Sequence, residues 1–252
     1  MTKLFTPLLL ITLSLFNNVN AESSTRSFIE EKVDAITARA VCGDEPVIKI
    51  DDEFACAMCP DFIEVVIPEP LVLKKMVFGK FSSPNTKEFA VDTQGCEPHS
   101  NNFGGIVLLE NNNEILQKRY YQPGFRLNEC LKFESSKDRD ILVCNEIFQA
   151  QGTLTGKFSA FRFGKNKATW RELQAWVYSE QSDLFIKSVS TTQKDLNNDN
   201  MLDLILMFKV KAQNKPVKNL KIEYVFDGQY FKLTEASKIV KKEIDNLYKQ
   251  LN

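Results

Sequence analysis

The chain has 252 residues, with 32 basic and 33 acidic side chains, a formal net charge of −1 and 43% hydrophobic residues. Charge this balanced, with no block of one sign, excludes electrostatic capture of nucleic acid or of an anionic membrane, because both need a concentrated positive field. The length is enough to bury a real core, so one compact domain with small appendages is expected.

Residues 1–21 have the pattern of a secretory signal peptide: Lys3, an apolar run from Leu8 to Phe16, then Val19, Asn20 and Ala21. Cleavage near Ala21 implies a periplasmic or secreted protein. No later stretch approaches the roughly 18 consecutive apolar residues of a membrane span. No cysteine sits by the cleavage site, so a lipid anchor is not indicated. None of the asparagines heads an Asn-x-Ser/Thr site, which favours a bacterial exported protein over a glycosylated one.

Residues 22–70 form an N-terminal helix and a cysteine-rich segment. From Ser27 to Val41, Ile29, Val33, Ile36 and Ala40 share one helical face, Ser27 with Glu30 makes a capping box, and Gly43 ends the helix. Residues 71–233 read as strands and turns. Ile106 to Leu109 and Ile115 to Tyr121 flank Asn111, Asn112 and Asn113, while Leu220 to Phe226 and Tyr230 to Leu233 flank Asp227-Gly228, a strong hairpin signal. Residues 234–252 close the chain with a helix: Val240, Ile244, Leu247 and Leu251 recur on one face after a cap at Thr234 or Ser237. Both helices are expected to pack on the body or cover an open edge.

The strand region repeats itself. Lys80 to Val91 aligns with Lys132 to Val143, and both align with Asp195 to Leu206. Each has a polar loop, an acidic ninth residue (Glu88, Asp140, Asp203) and then three apolar residues. Repeats of this length, filled with hairpins, suit one four-stranded blade each, because a lone sheet leaves its faces exposed until neighbours stack.

The segment Asp195 to Leu206 resembles the calcium loop of FG-GAP or VCBS repeats, as in β-propellers of the integrin-alpha type. The resemblance covers three units across residues 71–233, and only the third carries the full ligand set. It implies a mostly β fold of propeller-like blades in an incomplete or open array, with short terminal helices. Residues 44–70 hold either a further degenerate blade or part of an arc whose edges the helices cover. The resemblance also implies one structural Ca²⁺, bound by the side chains of Asp195, Asn197, Asp199 and Asp203 and the carbonyl of Met201. These are hard oxygen donors, which calcium takes in preference to the nitrogen and sulfur ligands of zinc or copper. An EF-hand would want Gly and Glu where Asn200 and Leu206 stand. The two glycines of the family loop are replaced by Asn198 and Asn200, and asparagine accepts left-handed backbone. In the other loops the ligand positions hold Lys80, Ser82, Pro84 and Glu88, and Lys132, Glu134, Ser136 and Asp140. Lysine at the first position removes a carboxylate and brings an ammonium towards the ion's place, so both are expected to be free of calcium.

All six cysteines lie in the exported part, which favours disulfides, although sequence does not fix connectivity. Cys130 and Cys144 flank the second loop, where a cross-strand disulfide would replace the ion as a staple. Cys56 and Cys59 form a Cys-x-x-Cys pair, with Cys42 and Cys96 the natural remaining partners. A zinc site recruiting Cys42, Cys96 or His99, and thiol redox chemistry at Cys56 and Cys59, are the competing readings. Pro60 stands where haem attachment would need histidine. His99 is the only histidine, and no nucleophile motif accompanies it. Trp170, Trp176, Tyr120 and Tyr121 are expected to pack between blades rather than form a sugar platform. Residues 101–105 read as a turn entering a strand. The reading is therefore an exported, calcium-binding scaffold or binding module for a protein or carbohydrate ligand. The alternative is an exported enzyme, either a thiol-disulfide oxidoreductase using Cys56 and Cys59 or a hydrolase with an unrecognised site.

Overall fold

The computed structural model describes residues 31–63, 68–96, 104–125, 127, 129–135, 138–150 and 152–251. The expected signal peptide, the proposed cap at Ser27, His99 and Ser136 lie outside them. The described part is mostly β, with two antiparallel sheets, two helices and no closed barrel.

Helix α1 (Ala35–Cys42) is capped by Asp34, whose carboxylate accepts the Thr37 amide at 2.7 Å, and it ends at Gly43 as expected, with φ of 62°. It starts later than the apolar spacing suggests. Glu31 is instead extended, exchanging two backbone hydrogen bonds with Met76. The first sheet is a meander in chain order: β1 (Val47–Ile50), β2 (Glu53–Cys56), β3 (Leu71–Gly79), β4 (Glu88–Gln94), β5 (Gly105–Asn112) and β6 (Ile115–Pro123). The first two strands extend the sheet as a hairpin and do not make a separate blade. Between β5 and β6 the turn is Asn113-Glu114, one step beyond the expected asparagine run, with both residues left-handed as a two-residue hairpin demands.

The second sheet is also a meander: β7 (Leu131–Phe133), β8 (Ile141–Ala150), β9 (Thr153–Phe163), β10 (Ala168–Ser179), β11 (Phe185–Lys194), β12 (Asp203–Lys211), β13 (Lys218–Phe226) and β14 (Phe231–Leu233). Its continuity is thin at one place, since β10 and β11 register only at Val177↔Ile186, whereas β9 and β10 register along nearly their whole length. Helix α2 (Glu235–Leu251) follows Thr234, whose hydroxyl accepts the Ser237 amide, one of the two expected caps.

The sequence repeats coincide with three equivalent hairpin loops, β3–β4, β7–β8 and β11–β12, each four strands after the last. Alternation along the strands sends side chains to both faces, and the middle group, β7 to β10, contributes to a core on each. One face carries Leu142, Cys144, Phe161 and Phe163 against Val77, Ala90, Ile106 and Leu108 of the first sheet. The other carries Phe133, Ile141, Val143 and Phe158 against Leu204, Leu206, Phe208 and Phe226. Helix α2 inserts Ile244 and Leu247 into this second core. Helix α1 covers the far face of the first sheet through Val41 and Cys42.

The candidate cation loop and its two counterparts

The acidic ninth residue of every repeat is buried, and each carboxylate closes its own loop by accepting backbone N–H groups. Glu88 accepts Phe81 and Ser82 amides at 2.8 and 2.7 Å. Asp140 accepts the Ser135 amide at 3.3 Å and the Lys80 amide at 2.9 Å. Asp203 accepts the Leu196 amide at 2.8 Å and the Phe226 amide at 2.7 Å. A short carboxylate at the start of the outgoing strand reaches back across the loop, and that fixes the turn.

The loops differ in how the negative charge is met. In the first, the hydroxyls of Ser82 and Thr86 donate to Glu88. In the second, Lys80 crosses from the first loop: its ammonium donates to the Ser135 carbonyl at 3.0 Å and lies 3.8 Å from Asp140. Lys132 pairs with Glu134 at 3.1 Å and donates to the Phe78 carbonyl at 3.0 Å. The first-position lysines thus stitch neighbouring loops together.

In the third loop Asp195 accepts the amides of Asn197, Asn198 and Asn200 at 3.3, 2.7 and 2.9 Å. Asn197 Oδ1 accepts the Asp199 amide at 3.1 Å, and Asp199 accepts the Met201 amide at 2.8 Å. Asn198 and Asn200 have φ of 61° and 65°, the left-handed backbone expected at those two places. Burial raises the pKa of Asp203, the two amide bonds oppose the shift, and the nearby Asp199 and Asp195 charges raise it further. Among the described residues no lysine or arginine pairs with Asp195, Asp199 or Asp203. Nor do three His, Cys, Asp or Glu side chains form a metal-holding group by themselves; the expected set depends equally on the Asn197 amide and the Met201 carbonyl. Asp199 and Met201 also border a cleft of about 390 Å³ shared with Asp138 and Asp227. Lys232 holds Asp227 down to a pKa of about 2 through a hydrogen bond, assisted by the Tyr230 and Gln229 amides.

The six cysteines form Cys42–Cys56, Cys59–Cys96 and Cys130–Cys144. The last is the expected cross-strand bond, adjacent to the Leu131↔Val143 pair. Cys56 and Cys59 are bonded to different partners, so they do not form the internal disulfide through which a Cys-x-x-Cys oxidoreductase cycles, and no cysteine remains to bind zinc. Trp176 is buried, with its indole N–H donating to Asn145 at 3.0 Å. Tyr120 and Tyr121 pack against the cores, and burial together with Glu88 raises the Tyr120 pKa. Trp170 departs from the packing expectation, being 50% exposed.

Sequence reasoning missed three features: the Lys80 crossing, the Asp203 bond to Phe226, and the Arg162 bridge to Asp138 at 2.9 Å. Each joins residues remote in sequence, and only the repeated acidic ninth position hinted at a shared hub. The class that fold and site define is a disulfide-bonded chain of antiparallel meanders with repeated acid-centred loops. No family model, curated protein or solved structure matches this chain.

Proposed function

We propose that this chain is an exported binding or scaffolding module, made of propeller-type blades in an open array and stabilised by one calcium ion at Asp195 to Asp203. The observation that carries the reading is the contrast in charge: Asp140 has an ammonium beside it, whereas among the described residues no lysine or arginine pairs with Asp203, Asp195 or Asp199, whose carboxylates accept only amide hydrogen bonds. A dication with oxygen ligands answers that excess. Asp195, Asn197, Asp199 and Asp203 would hold it with the Met201 carbonyl, and the ion's role would be structural, locking the β11–β12 hairpin. The four-strand spacing of the loops and the contribution of the middle meander to a core on each face support stacked blades. Three disulfides suit a chain folded in an oxidising compartment, and no described helix is long and apolar enough to cross a membrane.

Calorimetric titration of chelator-treated protein with calcium tests this. One saturable site in the wild type, absent in Asp199→Ala, is expected; no heat of binding and no change in melting temperature with calcium would overturn it.

A further inference from the structure

Three local irregularities of the chain converge on one cavity. Strand β11 leaves β10 after Val177↔Ile186, and the wedge between them opens into a cavity of about 440 Å³, within the roughly 300–1,000 Å³ of small-molecule sites. Asn145 and Ile147 of β8, Leu154 of β9, and Trp176 and Tyr178 of β10 line it from one sheet face, since Ile147, Gly156 and Trp176 stand in one cross-strand row and Leu154 pairs with Tyr178. Residues 187–191 of β11 form the opposite wall.

The first irregularity is Gly156. A Cβ there would lie 2.5 Å from the Trp176 indole, so glycine is what lets the ring settle against the sheet. The ring's N–H donates to Asn145 Oδ1 at 3.0 Å, and Asn145, 2% exposed, donates in turn to Glu129 at 2.8 Å. A buried amide satisfied at both ends fixes what it holds. The second is Glu129 itself, an exposed acid in left-handed backbone with φ of 45°. Strain of this kind in a residue other than glycine gathers where a side chain must be aimed. The third lies in β11, where the register against β12 slips between Ser188 and Ser190 and leaves Val189 outside the ladder, 52% exposed. Such slips redirect neighbouring side chains. Beside this one, the Lys187 ammonium stands over the Tyr178 ring at 4.3 Å.

Glu129 and Lys187 thus present opposite charges to one cavity. Each is held by an uncharged partner, and neither makes an ion pair with any described residue. We propose that this cavity binds a small zwitterion, a free amino acid or short peptide with an apolar side chain. Its ammonium meets Glu129, its carboxylate meets Lys187, and its hydrocarbon body lies on Ile147, Leu154 and the Tyr178 ring. A neutral sugar would leave both charges unanswered, and a plain hydrocarbon would cover them without a partner. The inference deepens the reading of a binding module by naming its ligand class, and it does not require the ion.

The test is calorimetric titration of the full chain with leucine and with leucyl-leucine, in calcium and in chelator. Saturable binding of at least one is expected in both conditions, so failure of the calcium reading leaves this one standing, and the tighter of the two sets the spacing of the charges. Acetylating the probe's ammonium or amidating its carboxylate should each weaken binding about tenfold or more, the worth of one charge-assisted bond. Glu129→Gln should erase the penalty of acetylation only, and Lys187→Met that of amidation only. Glu129→Asn, which left-handed backbone accepts, serves if the Gln variant melts early. No saturable binding of either probe at millimolar concentration, or binding indifferent to both substitutions, would overturn the proposal. So would Glu129-dependent binding of N-acetylglucosamine in place of the two probes.

Discussion

In the second repeat loop the buried Asp140 carboxylate accepts two amides and lies beside the Lys80 ammonium, and the hairpin is stapled by Cys130–Cys144. In the third, Asp203 accepts two amides in the same manner, but its further neighbours are the carboxylates of Asp195 and Asp199, and no disulfide crosses the hairpin. The backbone problem has one solution in both loops, a buried acid gathering N–H groups. The charge problem has two. A chain-borne cation and a covalent staple hold the second loop without any solute, whereas the third is proposed to depend on an ion from solution.

The largest effects should come from the hubs themselves. Asp140→Ala and Asp203→Ala each strand two N–H groups that now donate to a carboxylate, one buried and one partly buried, so each should cost about 3–6 kcal/mol in urea unfolding, at roughly 1.5–3 kcal/mol per bond to a charged group. Only Asp203→Ala should also abolish stabilisation by calcium. Losses below about 1 kcal/mol would show that the acids are incidental to the loops.

Breaking the staple should cost nearly as much. Replacing Cys130 and Cys144 by serine releases a closure with a sequence separation of 14 residues, a loss of about 3 kcal/mol on the chain-entropy account. The calcium response should survive unchanged, and its disappearance would mean the two loops are not independent. A smaller cost, about 1 kcal/mol, is expected for Asn200→Ala, because alanine resists the left-handed backbone that asparagine and glycine accept; Asn200→Gly should be tolerated. If both variants melt alike, the left-handed turn is not what the asparagine supplies.

The smallest effect concerns Asp227, beside the cleft. Its folded pKa lies below its ordinary 3.8, near 2, chiefly through Lys232. A lowered acid adds stability above the ordinary value and loses it as pH falls through the folded one, so the window is pH 3.8 down to about 2. The side chain is 34% exposed, and after discounting for solvent screening the contribution is at most about 1 kcal/mol. Asp227→Asn should flatten the pH dependence of unfolding in that window. An unchanged profile would remove the Lys232 pair from the account.

Much of this comparison was legible in the sequence, because its signals are local. The acidic ninth positions, the Asp227-Gly228 turn, the last helix with Ile244 and Leu247, and the Cys130–Cys144 staple all lie within a hairpin or a helical repeat. What was not legible lies across the chain. Nothing near Glu31 indicates that it pairs with Met76 rather than starting the helix, and although Cys42 and Cys96 stand out as the remaining partners of Cys56 and Cys59, the sequence does not tell which thiol takes which. Lys80 looks like a decayed ligand of its own loop, yet it serves the next one. Trp170 is a residue type that usually packs, yet it stands half open, edge-on to Phe125.

Amide hydrogen exchange, followed residue by residue with and without calcium, tests the contrast between the loops most directly. The account predicts that calcium slows exchange at Asn198, Asn200 and Met201 at least tenfold while Ser82 and Ser135 are unaffected. Equal protection of the third loop in chelator and in calcium, or an equal response in all three loops, would contradict it.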